Sequence, residues 1–299
     1  MNHNTQTRNL LFDAIAMATM FAVATLLAAL VYLAITLAVP LFESKMFPAV
    51  SAQSAAKTLV AVFAHADDEG TAAPVLARYA REGAQVYLII ATDGAQGGSH
   101  TSIPRGAELA RVRSEEARCA TDALGIHAPI LLGFPDAQLG SYTDDPGRLF
   151  ELTARLQGEL QRLHADALIT WGPDGGTGHP DHRLVSDIVT QLVRAGAPGA
   201  PERLFYASIP VDGFRAMNPA RGAPPFLVPQ AKYFNMRVRF TPADDAAARR
   251  SMACHRTQFS DDIVQRVGAM QSQALNGTLP LASFLAGDAG TDLLATDRR

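Results

Sequence analysis

TLVAVFAHADDEG, residues 58–70, decides how the chain is read. Thr58–Ala64 is short, apolar, rich in β-branched residues and free of charge, the composition of a buried strand. His65 ends it, and two adjacent carboxylates, Asp67 and Asp68, follow within three residues. Thr71–Glu82 then carries Ala, Leu and Arg at helical spacing and stops at Gly83. His65, Asp67 and Asp68 therefore sit where a strand gives way to a helix. In open α/β sheets that is the strand end where ligands bind. One imidazole and two carboxylates crowded there need neutralising, and a divalent cation does this well.

More than a hundred residues on, WGPDGGTGHPDHR at 171–183 has the same context. Asp166–Trp171 is a short apolar run, followed by a Gly-rich turn and a helix that Pro180 can open, since the first helical turn misses no N–H partner. His179 and His182 are three apart and share a face of that turn, while Asp181 points to a different side. Two His from this turn with His and Asp from the first make a mixed nitrogen and oxygen set. That set suits zinc better than magnesium or calcium, which prefer oxygen shells. GPDGG at 172–176 lacks the Lys-Ser/Thr of a phosphate-binding P-loop.

AHADDE at 64–69 together with GTGHPDH at 176–182 resembles the LmbE/PIG-L zinc-dependent N-deacetylases. TDGAQGG at 92–98, the Arg113–Gly125 stretch ending in LG and, more loosely, MACHRTQF at 252–259 extend the resemblance over roughly 57–260. The family usually has proline where this chain has Ala66. The resemblance implies a Rossmann-like fold and one Zn2+ per chain held by His65, Asp68 and His182, with another divalent metal such as Fe2+ as the alternative. Three protein ligands leave a fourth position for water. It further implies Asp67 as general base and His179 as the group that stabilises the oxyanion or protonates the amine. An aspartate before a helix also caps it, which is the other reading of Asp67.

Elsewhere the residues leave alternatives open. Asp181 reads either as a partner that orients a ligand histidine or as a helix-surface residue. Asp93, at a strand end, contacts substrate or shapes its loop. Arg113 pairs with Glu116, lies on a helix surface or touches substrate. His255 reads as a packing histidine.

Strands and helices alternate through the rest. Gln85–Thr92, Pro129–Leu132, Leu204–Ile209 and Tyr233–Phe240 read as strands. Arg105–Leu124, Gly147–His164, Asp181–Ala195, Pro242–Gln258 and Asp261–Ala274 read as helices. This order predicts an α/β fold, a three-layer α/β/α arrangement with a mostly parallel sheet covered on both faces. Cys119 and Cys254 form no framework and read as separate buried thiols. With 18% charged residues and a net charge of −3, the 299-residue chain has no basic footprint for nucleic acid.

At the N-terminus, Ala14–Phe42 contains no charged residue, and its first 26 residues are almost wholly apolar. As a helix they would span about 39 Å, beyond the ~30 Å hydrocarbon core, so an uncleaved transmembrane anchor is expected. The expected organisation is an N-terminal tail at 1–13, the anchor at 14–42, a linker at 43–57, the deacetylase domain at 58–285 and a polar, frayed tail at 286–299. The expected location is a single-pass membrane protein with its catalytic domain on the extracytoplasmic side. Its expected substrate is a small-molecule or lipid-linked amino-sugar conjugate. The expected activity is hydrolysis of the acetamide of an N-acetylglucosamine-type glycoconjugate. The alternatives are a metal-dependent phosphoesterase and a non-catalytic, membrane-anchored glycan-binding protein.

Overall fold

Strand β1, Thr58–Phe63, is buried along its whole length, and the rest of the fold follows from how it is covered. The computed structural model describes residues 56–139, 145–208, 229–285 and 289–295. Strands β2 (Gln85–Thr92) and β4 (Ala167–Trp171) flank β1 in parallel, and β3 (Ile130–Phe134) and β5 (Leu204–Ala207) extend the sheet in parallel outside them. Strands β6 (Met236–Arg239) and β7 (Thr278–Ser283) close one edge antiparallel, giving the order β3-β2-β1-β4-β5-β7-β6. The sheet is thus mixed but mostly parallel, as expected.

Side chains of β1 alternate between two cores, which is why the strand carries no polar face. Leu59, Ala61 and Phe63 pack with helices α1 (Ala73–Arg81), α2 (Ala107–Leu124) and α5 (Pro242–Cys254). Val60, Val62 and Ala64 pack with the leucines of α3 (Pro146–Leu163) and with Val185, Ile188 and Val189 of α4 (Pro180–Arg194). Each buried Val, Leu, Ile or Phe side chain among these contributes roughly 1.5–3 kcal/mol. Helix α6 (Asp261–Leu275) precedes β7. Between β1 and β4 the strand order reverses direction, so a crevice opens at their carboxyl ends. Both sequence motifs leave the sheet there.

Several expectations need correction. Strand β7 was not foreseen because Pro280 interrupts its pattern; it is tolerated opposite Arg237 while Leu279 and Leu281 point into the core. The 289–295 stretch, expected to fray, packs instead: Leu293 is fully buried and its N–H donates to Tyr79 Oη at 2.7 Å. Cys119 and Cys254 are not separate thiols but a disulfide with Cα atoms 5.7 Å apart. Helices α2 and α5 lie side by side, a proximity that spacing in sequence does not encode.

The membrane location is also overturned. Among the described residues no helix is long and apolar enough to cross a membrane. The run 14–42 that carried this expectation lies outside the described residues, as do 1–13, most of the linker and the last four residues.

Candidate functional site

The first turn is built around an aspartate in an unfavourable conformation. Asp67 has φ 100° and ψ −22°, a region that L-residues with a side chain enter at a cost of about 1–3 kcal/mol. The turn holds it there. Asp68 folds its Oδ2 back to accept the N–H groups of Ala64 (3.1 Å) and His65 (2.9 Å). The Gly70 N–H donates to Asp67 O. Arg113, buried on α2, donates to Ala66 O at 2.5 Å and Gly94 O at 3.1 Å, with its guanidinium 3.5 Å from Asp67 Oδ1. Asp67 makes no side-chain capping bond, so the capping alternative is not realised and its carboxylate faces Arg113. Arg113 does not pair with Glu116, which instead accepts from Thr257.

The second turn uses glycine. Gly176 has φ 64°, and a Cβ there would lie 2.1 Å from the Trp171 ring. That ring stacks on His182, with planes 4° apart and centroids 4.7 Å apart. His182 Nδ1 lies 2.9 Å from Gly175 O. A carbonyl only accepts, so Nδ1 carries the proton and, in the neutral ring, Nε2 is bare. His179 caps α4, its Nδ1 accepting the Asp181 N–H at 3.2 Å. The proton of neutral His179 is therefore on Nε2.

The two turns meet at His65 and His182, whose Nδ1 and Nε2 are 3.0 Å apart. Asp68 Oδ1 is 3.2 Å from His182 Nε2, and its Oδ2 is 3.7 Å from His65 Nδ1. On the far side of the His65 ring, Nε2 lies 3.0 Å from Asp136 Oδ1 and 3.4 Å from Asp181 Oδ2. These acceptors put the His65 proton on Nε2. Two bare imidazole nitrogens and a carboxylate then face one another, an arrangement that repels itself unless a cation sits between them. His179 stands beside them, its ring centroid 4.8 Å from that of His65.

A second grouping of donors, His65 with Asp136 and Asp181, lies behind the first, and three of its four carboxylate oxygens already accept backbone N–H groups. Asp136 Oδ2 accepts from Gln96 and Gly97 N–H, and Asp181 accepts from Ala137 and Leu139 N–H. The donors thus fit a divalent ion held by His65, Asp68 and His182, with Asp136 and Asp181 orienting His65.

Electrostatics agrees with that fit. Burial disfavours the charged form of His65, but the Asp136 and Asp181 contacts and the Asp68 charge outweigh it and push its pKa up to about 10. His182 is raised in the same way, burial being overcome by Asp68. Asp68 is held well below the usual carboxylate range: burial alone would raise it, but His182 and His65 prevail. The pocket asks for positive charge. Asp67 moves the other way, to about 6, through burial and the adjacent Asp68, partly offset by Arg113 and His255. His179 is lowered by burial and by the His65 and His182 rings.

Among the expected site residues, then, His65, Asp67, Asp68, His179 and His182 converge. Asp181 is buried and binds the 137–139 loop, so it is no surface residue. Asp93 shapes its loop, accepting from Ala95 and Asp136 N–H. Asp136 escaped the sequence reading, although it too follows a strand end, that of β3.

Residues 60–193 match the family model described as PIG-L: GlcNAc-PI de-N-acetylase. Among curated proteins, the chain is 29% identical over 247 residues to the 1D-myo-inositol 2-acetamido-2-deoxy-alpha-D-glucopyranoside deacetylase of Corynebacterium urealyticum, covering 69% of this chain and 72% of that one. To the protein of the same description from Mycolicibacterium vanbaalenii it is 30% identical over 186 residues, covering 56% and 64%. The chain therefore spans less than two thirds of that second relative. Among solved structures, the N,N'-diacetylchitobiose deacetylase from Pyrococcus horikoshii superposes with a TM-score of 0.55 at 20% identity, over 77% of this chain and 85% of that one. GalB, a 4-carboxy-2-hydroxymuconate hydratase from Pseudomonas putida, gives 0.53 at 17%, over 77% and 96%. At such identities the likeness is one of fold, and this fold carries more than one reaction.

Proposed function

The chain carries a domain of the PIG-L family over residues 60–193, and from that premise we propose that it hydrolyses the acetamide of an N-acetylglucosamine-type glycoconjugate to a free amine and acetate. One observation carries the reading. Two strand-end turns, far apart in sequence, bring His65 Nδ1 and His182 Nε2 within 3.0 Å of each other beside Asp68, with Asp67 as the next residue. His65, Asp68 and His182 would hold the ion, and a set of two imidazoles and one carboxylate suits zinc. Bound there, zinc supplies Lewis acidity, polarising an amide carbonyl and acidifying water.

The chain's own groups move the protons. The Asp67 carboxylate accepts a proton from the water that attacks the acetamide carbon. A pKa raised to about 6 keeps it ionised at neutral pH yet basic enough to serve. As the carbonyl oxygen gains charge, the Nε2–H of His179 donates to it; the α4 cap has put the proton on that atom. Return of the proton from Asp67 to the nitrogen releases the amine, and acetate leaves with the added oxygen. Arg113, against the Asp67 oxygen and the Ala66 carbonyl, keeps the carboxylate in place through the cycle.

The test is acetate release by the full chain with one equivalent of zinc, from a panel that includes N-acetylglucosaminyl-inositol and N,N'-diacetylchitobiose. Release from at least one conjugate, abolished by chelation and restored by zinc, is the expected outcome. Zinc-loaded protein that binds the conjugates without releasing acetate would reject the reading.

A further inference from the structure

Beneath the Asp67 turn lies a buried pair that the proposed chemistry does not use. Glu69 and His255 are each about 1% exposed, with Glu69 Oε1 2.6 Å from His255 Nε2. The other Glu69 oxygen, Oε2, accepts the Asp67 N–H at 2.9 Å. That N–H and the Ala66 carbonyl held by Arg113 belong to one peptide group. Both ends of this peptide plane are thus gripped, one from each side. The next plane is fixed as well, since Asp67 O accepts from Gly70. The φ torsion of Asp67 lies between two clamped planes, and it is the torsion with the unfavourable value.

The pair is itself anchored. His255 follows Cys254, which the disulfide ties to Cys119 on α2. Two residues on, Thr257 donates to Glu116 of the same helix, and Gln258 Nε2 donates to Gly97 O beside Arg113. Arg113 also rises from α2, so one helix supports both grips. A buried carboxylate–imidazole pair is weak evidence for stability, because desolvating it is costly. Its position on a strained peptide points to geometry instead.

We propose that Glu69 and His255 are positioning residues for Asp67, clamping the 66–67 peptide so that the carboxylate stays aimed at the reacting water. This rests on Asp67 being the base, so the test separates the two claims by comparing His255→Ala in the wild-type and Asp67→Asn backgrounds. Alone, His255→Ala should lower kcat about 10–100-fold, the scale of a misaimed catalytic group, on the most active conjugate of the panel. KM should stay within about twofold and zinc near one per chain. His255→Gln, which keeps a donor for Glu69, should recover most of the loss. In the Asp67→Asn background His255→Ala should change kcat by less than about twofold, since there is no base left to aim. Equal losses in both backgrounds, or a loss of zinc in place of kcat, would overturn the proposal. Normal turnover of Asp67→Asn alone would instead refute the base assignment. A crystal structure of zinc-loaded His255→Ala adds a readout independent of activity. Asp67 should leave positive φ there, and Asp67 unmoved would overturn the proposal. Should His255→Ala fail to fold, Glu69→Ala, which removes the acceptor of the Asp67 N–H, takes its place in the two backgrounds and in the crystal, with the same outcomes expected.

Discussion

The two turns that build this site solve the same problem in opposite ways. The 172–182 turn bends through glycine: Gly175, Gly176 and Gly178 all have positive φ. Its proposed ligand His182 is fixed by packing, stacked on Trp171 and bonded to a carbonyl of its own turn. The 64–71 turn bends at Asp67, where a side chain makes the conformation costly, and it is held by Glu69 of the same turn and by two distant residues, Arg113 and His255. A residue needed for its carboxylate cannot be exchanged for glycine. The chain accepts strain there and fixes it with clamps from α2 and the end of α5. Apart from the three residues proposed to hold the metal, the second turn should therefore fail in metal affinity and stability, the first in turnover.

The largest effect belongs to what both turns share. His65→Ala, Asp68→Ala and His182→Ala should each lose most of the zinc, expected at about one per chain, and turnover should fall to background. Elemental analysis of the purified variants checks this, and wild-type zinc in all three would reject the donor set.

Within the glycine-built turn, Gly176→Ala should cost about 2–4 kcal/mol, from positive φ and from the displaced Trp171 ring. Because that ring supports His182, zinc affinity should weaken too. Chemical denaturation and a zinc titration measure the two, and a stable variant with unchanged affinity would remove packing as the device that holds His182.

The strained turn should show itself in pH. With the Asp67 carboxyl held up to about 6 by burial and Asp68, and a cation acting to lower it, the acid limb of kcat/KM should fall at or below about pH 6. Activity should be lost as pH drops, since the base must be ionised. Stability runs the opposite way. A carboxyl whose folded pKa lies above its unfolded value makes the metal-free protein less stable as pH rises from about 4 to about 6. Unfolding of the chelated protein across that range, compared with Asp67→Asn, isolates the contribution; an identical pH dependence in both would discard it.

The smallest effect is expected at Ala66, where the resembled family usually has proline. Ala66→Pro should stabilise by about 0.4–1 kcal/mol through the unfolded chain, raising Tm by roughly 1–3 °C. Thermal denaturation checks this. A loss of stability would show that residue 66 needs its N–H or a different φ.

The parts of the site that were legible in sequence are those where several chemical groups share one strand end. His65, Asp67 and Asp68 lie within four positions, as do His179 and His182, and the alternation of elements placed both turns on one sheet edge. Asp136 was missed because it stands alone in its loop; only the fold brings it to His65. Glu69 and His255 are 186 residues apart, and nothing in either local pattern shows that one helix end reaches under the first turn. The disulfide was illegible for the same reason, since it reports helix packing and not spacing. Strand β7 was hidden by Pro280, whose rule against central strands gave way to burial of its two leucine neighbours. The N-terminal run was read from its length and lack of charge, and it lies outside the described residues, among which no helix is long and apolar enough to cross a membrane.

The division of labour between adjacent aspartates is where the site's chemistry is most exposed to test, and zinc content measured beside turnover in Asp67→Asn and Asp68→Asn addresses it directly. Asp67→Asn should keep about one zinc per chain while kcat falls by roughly 10²–10⁴-fold, about 3–5 kcal/mol of barrier. Asp68→Asn should lose zinc and turnover together. Full zinc with near-normal turnover in Asp67→Asn would contradict this division and remove Asp67 from the chemistry.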